Sequence, residues 1–221
     1  MTQHRVGRGV ALRAAGVGLK IGPREVLVGI DLEALAGRVV VVTGPAGSGK
    51  TSLLHVLAGI LTPSAGEVTL DGTKLTSYGP NGPTTLGFVP QTFGLAGALS
   101  AEENMALPLQ LLGLGRNEVA TRVAQMLSSL GLESARGQLA GELSGGQQQR
   151  TAVGRAIVAE PGLVVADEPT SELDAVSRDL VFDLFRNAAD QGATVVVATH
   201  DPDLVERCDD VVSLHDGRVV K

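Results

Sequence analysis

Arg38 is followed by Val39-Val40-Val41-Val42-Thr43, and this run passes directly into Gly44-Pro45-Ala46-Gly47-Ser48-Gly49-Lys50-Thr51. No other stretch limits the fold so tightly. The valines are β-branched and wholly apolar, which predicts a strand buried on both faces, as in a parallel sheet. The octet fits G-x-x-x-x-G-K-[ST], and Ser52 to Leu61 reads as a helix. Strand, glycine loop and helix in that order predict a phosphate cradle. Glycines let the backbone curl until successive N–H groups face an anion. The helix N-terminus adds its dipole. Lys50 is expected to reach the outer phosphates, and the Thr51 hydroxyl to ligate Mg2+. Taken alone, the loop leaves kinases, GTPases and many ATPases open.

A second apolar run, Leu163-Val164-Val165-Ala166, ends in Asp167-Glu168. Asp167 is expected to hold the Mg2+ shell. Water needs a base or an orienting group to attack a phosphate. Glu168, one residue on, points its side chain elsewhere and is the candidate. Leu143-Ser144-Gly145-Gly146-Gln147, then Gln148-Gln149-Arg150, places Ser and Gly at a helix start, a second anion site.

The chain has 221 residues, enough for one large domain or one core with an inserted sub-domain. Aromatics are 2%, so the core must be built from Val, Leu, Ile and Ala. A net charge of −6 argues against a nonspecific nucleic-acid coat, and Arg5, Arg8 and Arg13 are too spread to make a basic patch. The single cysteine, Cys208, permits no internal disulfide, and Asp209 and Asp210 disfavour its thiolate. It is expected to be packed and inert. No signal peptide is visible, and no apolar run approaches the roughly 20 residues of a membrane helix. A role at a membrane would therefore need another chain to cross it.

Residues 10 to 35 read as short strands, with a turn at Gly22-Pro23. Gly66 to Gly72 is a strand ending in an Asp-Gly turn, and Gly87 to Pro90 a further strand. Helices follow. Ser100-Ala101-Glu102-Glu103 is a capping-box start, Asn117 to Leu130 is a second helix stopped by Gly131, and Gly145 to Val158 a third. Ser177 to Ala189 is a helix, Ala193 to Ala198 a strand, and Val211 to Leu214 with Arg218 to Val220 a closing hairpin. His55, on the helix after the loop, is expected to pack or face water. His4 and His215 carry no role, and no His/Cys spacing suggests zinc.

The segment Leu143 to Gln147 resembles the LSGGQ signature of the ABC (ATP-binding cassette) ATPase family. The order of motifs matches too: glycine loop, Gln91, signature, acidic strand, His200. The resemblance runs from about residue 10 to the end. It implies an α/β fold: a P-loop NTPase (RecA-like) core with an N-terminal antiparallel β sub-domain and an inserted helical sub-domain. The core would span about 1–91 and 159–221, and the helical part about 92–158. It also implies ATP and Mg2+. Gln91 would be the Q-loop glutamine, sensing Mg2+ and facing a membrane subunit. Glu168 would be the catalytic glutamate, and His200 the switch histidine at the γ-phosphate. Ser171-Glu172-Leu173-Asp174 would be the D-loop, crossing to a partner subunit. Ser144, Gly145, Gly146 and Gln147 would close over ATP held by that partner, so a dimer is implied, and a homodimer is possible.

Phe93-Gly94-Leu95 and the stretch from Leu99 to Leu109 resemble subunits of the lipoprotein-release, macrolide-efflux and cell-division group. That implies a subunit on the cytoplasmic face of a membrane, powering an integral membrane partner of export or mechanotransmission type. The alternatives are an import-type subunit or a non-transport ABC ATPase of DNA repair or translation. The absence of a basic stripe and of a coiled-coil insertion disfavours the latter. Two positions depart from the family pattern. Ile21 stands where an aromatic residue usually stacks on adenine, with the only tyrosine, Tyr78, far off in sequence. Glu172 replaces a small D-loop residue and is expected to face water.

Overall fold

The computed structural model describes residues 10–75 and 86–220. Tyr78, His4, Arg5 and Arg8 lie outside them. The first sheet contains β1 (Leu12–Ile21), β2 (Arg24–Ala34), β4 (Ala65–Leu70) and β5 (Thr73–Lys74), all antiparallel, in the order β2-β1-β4-β5. The sequence reading of residues 10 to 35 as short strands is corrected here. They form two long strands hinged at Gly22-Pro23, and their irregularities are register shifts, such as that between Ala14 and Val17.

The second sheet holds β3 (Val39–Thr43), β6 (Leu86–Val89), β7 (Leu163–Asp167), β8 (Thr194–Ala198), β9 (Asp210–His215) and β10 (Arg218–Val220). Its order is β10-β9-β3-β8-β7-β6, parallel except for the β9–β10 hairpin. Alternation explains the four successive valines of β3. Val39 and Val41 face one core with Phe185, while Val40 and Val42 face the other with Leu53 and Leu57. Helix α1 (Lys50–Leu57) packs against both sheets and contributes Leu53, Leu54, Val56 and Leu57 to that second core. His55 on α1 is half-buried, its ring 5.5 Å from that of Phe88.

The other face carries α2 (Ala101–Leu111), α3 (Arg116–Ser129), α4 (Gly145–Ile157) and α5 (Ala175–Asp190). The capping box at Ser100 forms as the sequence predicts. The Ser100 hydroxyl accepts from the Glu103 N–H at 3.2 Å, and Glu103 accepts from the Ser100 N–H at 2.8 Å. A short helix absent from the sequence reading, α6 (Pro202–Arg207), begins on Asp201 as its cap. Burial pushes the Cys208 thiol above its ordinary range, and the thiol donates to the Val205 carbonyl, in keeping with a packed, unreactive group.

Candidate active site

Residues 44–51 leave the carboxyl end of β3 and curl onto the N-terminus of α1. The Lys50 ammonium donates to the Gly44 carbonyl at 2.8 Å and the Pro45 carbonyl at 3.2 Å. It therefore lies across its own loop, where an anion would exchange weak carbonyl partners for phosphate oxygens. The Ser48 hydroxyl is buried with no hydrogen-bond partner among the described residues. Such an orphan inside a glycine loop fits a polar ligand. The last hairpin braces this loop. The Gly217 N–H donates to the Ser48 carbonyl at 2.9 Å, and the Gly217 carbonyl accepts from the Val28 N–H at 2.8 Å.

Asp167 ends β7 with 2% of its surface exposed. Burial pushes its carboxyl above the ordinary carboxylate range, and Glu168 adds to this. A hydrogen bond from Thr51, with the charges of His55 and Lys50, opposes it. Thr51 and Asp167 thus meet as an all-oxygen donor set. A hard divalent cation suits it, and Mg2+ in particular needs few protein ligands. The raised value means that the folded chain binds this proton more tightly than the unfolded chain. The carboxylate's contribution to stability is thus lost as pH rises from the ordinary value through the folded one. Asp167→Asn is therefore expected to raise the melting temperature of the metal-free chain at neutral pH and to weaken any stabilisation that added Mg2+ gives. Thermal melts with and without Mg2+ check this, and an unchanged or lowered melting temperature without Mg2+ would contradict it.

Glu168 follows at a positive φ of 47°, an uncommon conformation for a non-glycine residue. Its N–H donates to the Ala198 carbonyl at 2.8 Å, which pins the chain turning out of β7 to the end of β8. The kink brings the Glu168 Oε1 to 3.0 Å from the His200 Nδ1. The second oxygen, Oε2, is buried and unpaired among the described residues. Residues separated in sequence meet here because β7 and β8 are neighbours in the sheet.

Other sequence-selected residues lie elsewhere. Gln91 is exposed, two residues past β6, at the same carboxyl edge of the sheet. Ser144 caps α4, accepting from the Gln147 N–H at 3.3 Å, while the Gln147 side chain accepts from the Ser144 N–H at 2.9 Å. Arg150 donates to the Ser177 hydroxyl at 2.5 Å, and Asp174 caps α5 through the Ser177 N–H at 2.7 Å. Gly145 and Gly146 thus stand beside the segment 171–174. A Cβ added at Gly145 would lie 3.7 Å from the exposed Glu172 carboxylate. Among the described residues no hydrogen bond joins the signature to residues 44–51. Ile21 is 55% exposed at the tip of the first hairpin. The sequence reading missed Thr170, Arg178 and Asp201, which cluster behind Glu168 and His200. Asp201-Pro202 was a readable signal, an Asp cap followed by Pro at the first helical position.

Comparison with known proteins shows the family. The profile of a family described as ABC transporter matches residues 27–171. The chain is 40% identical over 204 residues to the lipoprotein-releasing system ATP-binding protein LolD 2 of Caulobacter vibrioides, covering 90% of each. It is 40% identical over 206 residues to LolD of Chromohalobacter salexigens, covering 90% of this chain and 87% of that one. Among solved structures, the dimeric bacterial ABC transporter cassette MJ0796 superposes with a TM-score of 0.88 at 31% identity, covering 95% of this chain and 97% of that one. A dimeric post-hydrolysis state of the same cassette, bound to ADP and Pi, gives 0.87 at the same identity and coverage. With the family profile spanning most of the chain and these relatives covered almost end to end, the chain belongs to the ABC transporter family as one of its ATP-hydrolysing cassettes.

Proposed function

We propose that this chain works as one half of an ATP-driven dimer that powers a separate integral membrane protein of export or mechanotransmission type, from the cytoplasmic face of the membrane. The observation that carries the dimer is the separation of the two anion sites. Residues 44–51 and the signature at Ser144 to Gln147 share no hydrogen bond among the described residues, so one chain offers two half-sites. Two copies placed head to tail would complete both, and the similar cassette MJ0796 is solved as a dimer. In this reading residues of about 1–91 and 159–221 form the nucleotide core and about 92–158 the helical part.

Gly44 to Thr51 hold the phosphates, with Lys50 on the outer ones. Thr51, Asp167 and Gln91 would hold Mg2+, which when bound offsets negative charge on the phosphate oxygens. Glu168 orients water and receives its proton, and His200 contacts the γ-phosphate. Ser144, Gly145, Gly146 and Gln147 close over the partner's ATP, and Asp174 fixes the D-loop between them. Hydrolysis reopens the pair, and the Gln91 loop with α2 and α3 passes the motion to the membrane protein. Purification from native membranes is expected to recover this chain with an integral membrane protein. Recovery of ribosomes or nucleic acid with no membrane protein would overturn the reading.

The exposed Ile21 supplies an apolar surface and no π-face, so base recognition is expected to be weak. ATP and GTP should bind within about tenfold of each other, and Ile21→Tyr should tighten both by ~1–3 kcal/mol through stacking. Nucleotide titration checks this. A strong preference for ATP that disappears in Ile21→Ala would contradict it.

A further inference from the structure

The His200 side chain is 76% exposed, whereas that of Glu168 is 13% exposed. Packing therefore does little to fix the ring. Its position depends on the backbone that carries it, and on whatever holds that backbone against the turn after β7. The next residue, Asp201, supplies such a hold. It is 9% exposed, and a carboxylate so buried needs partners. One oxygen accepts from the Thr170 hydroxyl at 3.4 Å and from Arg178 at 3.2 Å. The other accepts from the Asp203 N–H at 3.0 Å and so caps α6. The Asp201 N–H donates to the Thr199 hydroxyl at 3.1 Å.

These contacts join three separate pieces of chain. Thr170 lies two residues past Glu168, Asp201 one residue past His200, and Arg178 on α5, the helix that Asp174 caps. All of them, with Glu168 and His200, border one open cavity of about 200 Å3. We propose that Asp201, gripped by Thr170 and Arg178, is a positioning residue that holds His200 against Glu168. This rests on reading Glu168 and His200 as the hydrolytic pair. Asp201 touches neither side chain through a hydrogen bond. It fixes the two turns that carry them, and the charge-assisted hydrogen bond from Arg178 keeps it in place.

The test uses the full chain carrying Asp201→Asn, Arg178→Ala, Arg178→Lys or Thr170→Val. Steady-state ATPase kinetics are paired with titration of a fluorescent ATP analogue and with 15N NMR of the His200 ring. Asp201→Asn and Arg178→Ala should each lower kcat about 10- to 100-fold, the cost of a small misplacement at a reacting centre. KM and nucleotide affinity should stay as in the parent, and the ring signals should move in the nucleotide-free protein. Arg178→Lys, which keeps the charge, should recover most of kcat and return the signals. Thr170→Val removes the weakest contact and should give an intermediate loss. Parent kcat in both Asp201→Asn and Arg178→Ala would overturn the proposal. So would a parallel fall in affinity and kcat that Arg178→Lys leaves uncorrected. Glu168→Gln run alongside separates the two readings. If it turns over normally, the hydrolytic pair itself is wrong. If it is inactive while the Asp201 and Arg178 variants run at the parent rate, only the positioning role fails.

Discussion

Glu168→Gln is expected to bind ATP as the parent does and to lose turnover by about 10²–10⁴-fold, the usual worth of a positioned base. The substitution is nearly isosteric. The amide oxygen can still meet the His200 Nδ1, which stands 3.0 Å from the carboxylate, so the turn after β7 should keep its shape. What disappears is the carboxylate's capacity to take a proton from an attacking water. With binding retained and hydrolysis stopped, the head-to-tail pair has no route back to separate chains. Size-exclusion chromatography should therefore show a persistent dimer with ATP, where the parent returns to monomer as ATP is consumed. Normal turnover in this variant would remove Glu168 from its assigned role.

Gly44→Ala is expected to cost about 2–4 kcal/mol of stability and most of the nucleotide affinity. Gly44 has φ of 146°, which L side chains rarely adopt, and an added Cβ would stand 2.1 Å from the Leu214 carbonyl oxygen and 2.8 Å from the Ser48 Oγ. The nearer neighbour is backbone and cannot swing aside. Leu214 belongs to β9, whose preceding residue Ser213 pairs with Thr43 at the end of β3. Relief must come from the loop, whose Gly44 carbonyl is one of the partners of Lys50. Thermal melts and nucleotide titration would measure both effects. A variant with the parent's melting temperature and affinity would show that the close approach is not a constraint.

The parallel strands β3, β7 and β8 were legible because burial on both faces demands an unbroken apolar run. The first sheet was less so. Residues 10 to 35 read as short strands, yet Gly16 and Gly29 lie within the long β1 and β2, where the register shifts. Helix α6 has six residues, too few for a periodic pattern, and only its Asp-Pro start gave it away. The phosphate loop and the acidic strand end could be read because their chemistry sits in contiguous residues. The burial of Ser48 and the cluster of Thr170, Arg178 and Asp201 could not, since these depend on which strands are neighbours. Asp201 sits beside Thr170 only because β8 pairs with β7.

The sheet order has a consequence for how the molecule is made. β3 lies between β8 and β9, strands built from residues 194–198 and 210–215. Its loop is braced by Gly217, from the turn after β9. On the ribosome, then, the phosphate loop emerges before either strand that flanks β3, since residues 194–198 and 210–215 both follow it in the chain. Until residues 194–217 have emerged the loop lacks both its flanking strands and its brace, and the long-range pairing that β3 awaits makes this sheet a late event in folding. Until then its run of four valines is exposed, an aggregation hazard that chaperones would have to cover.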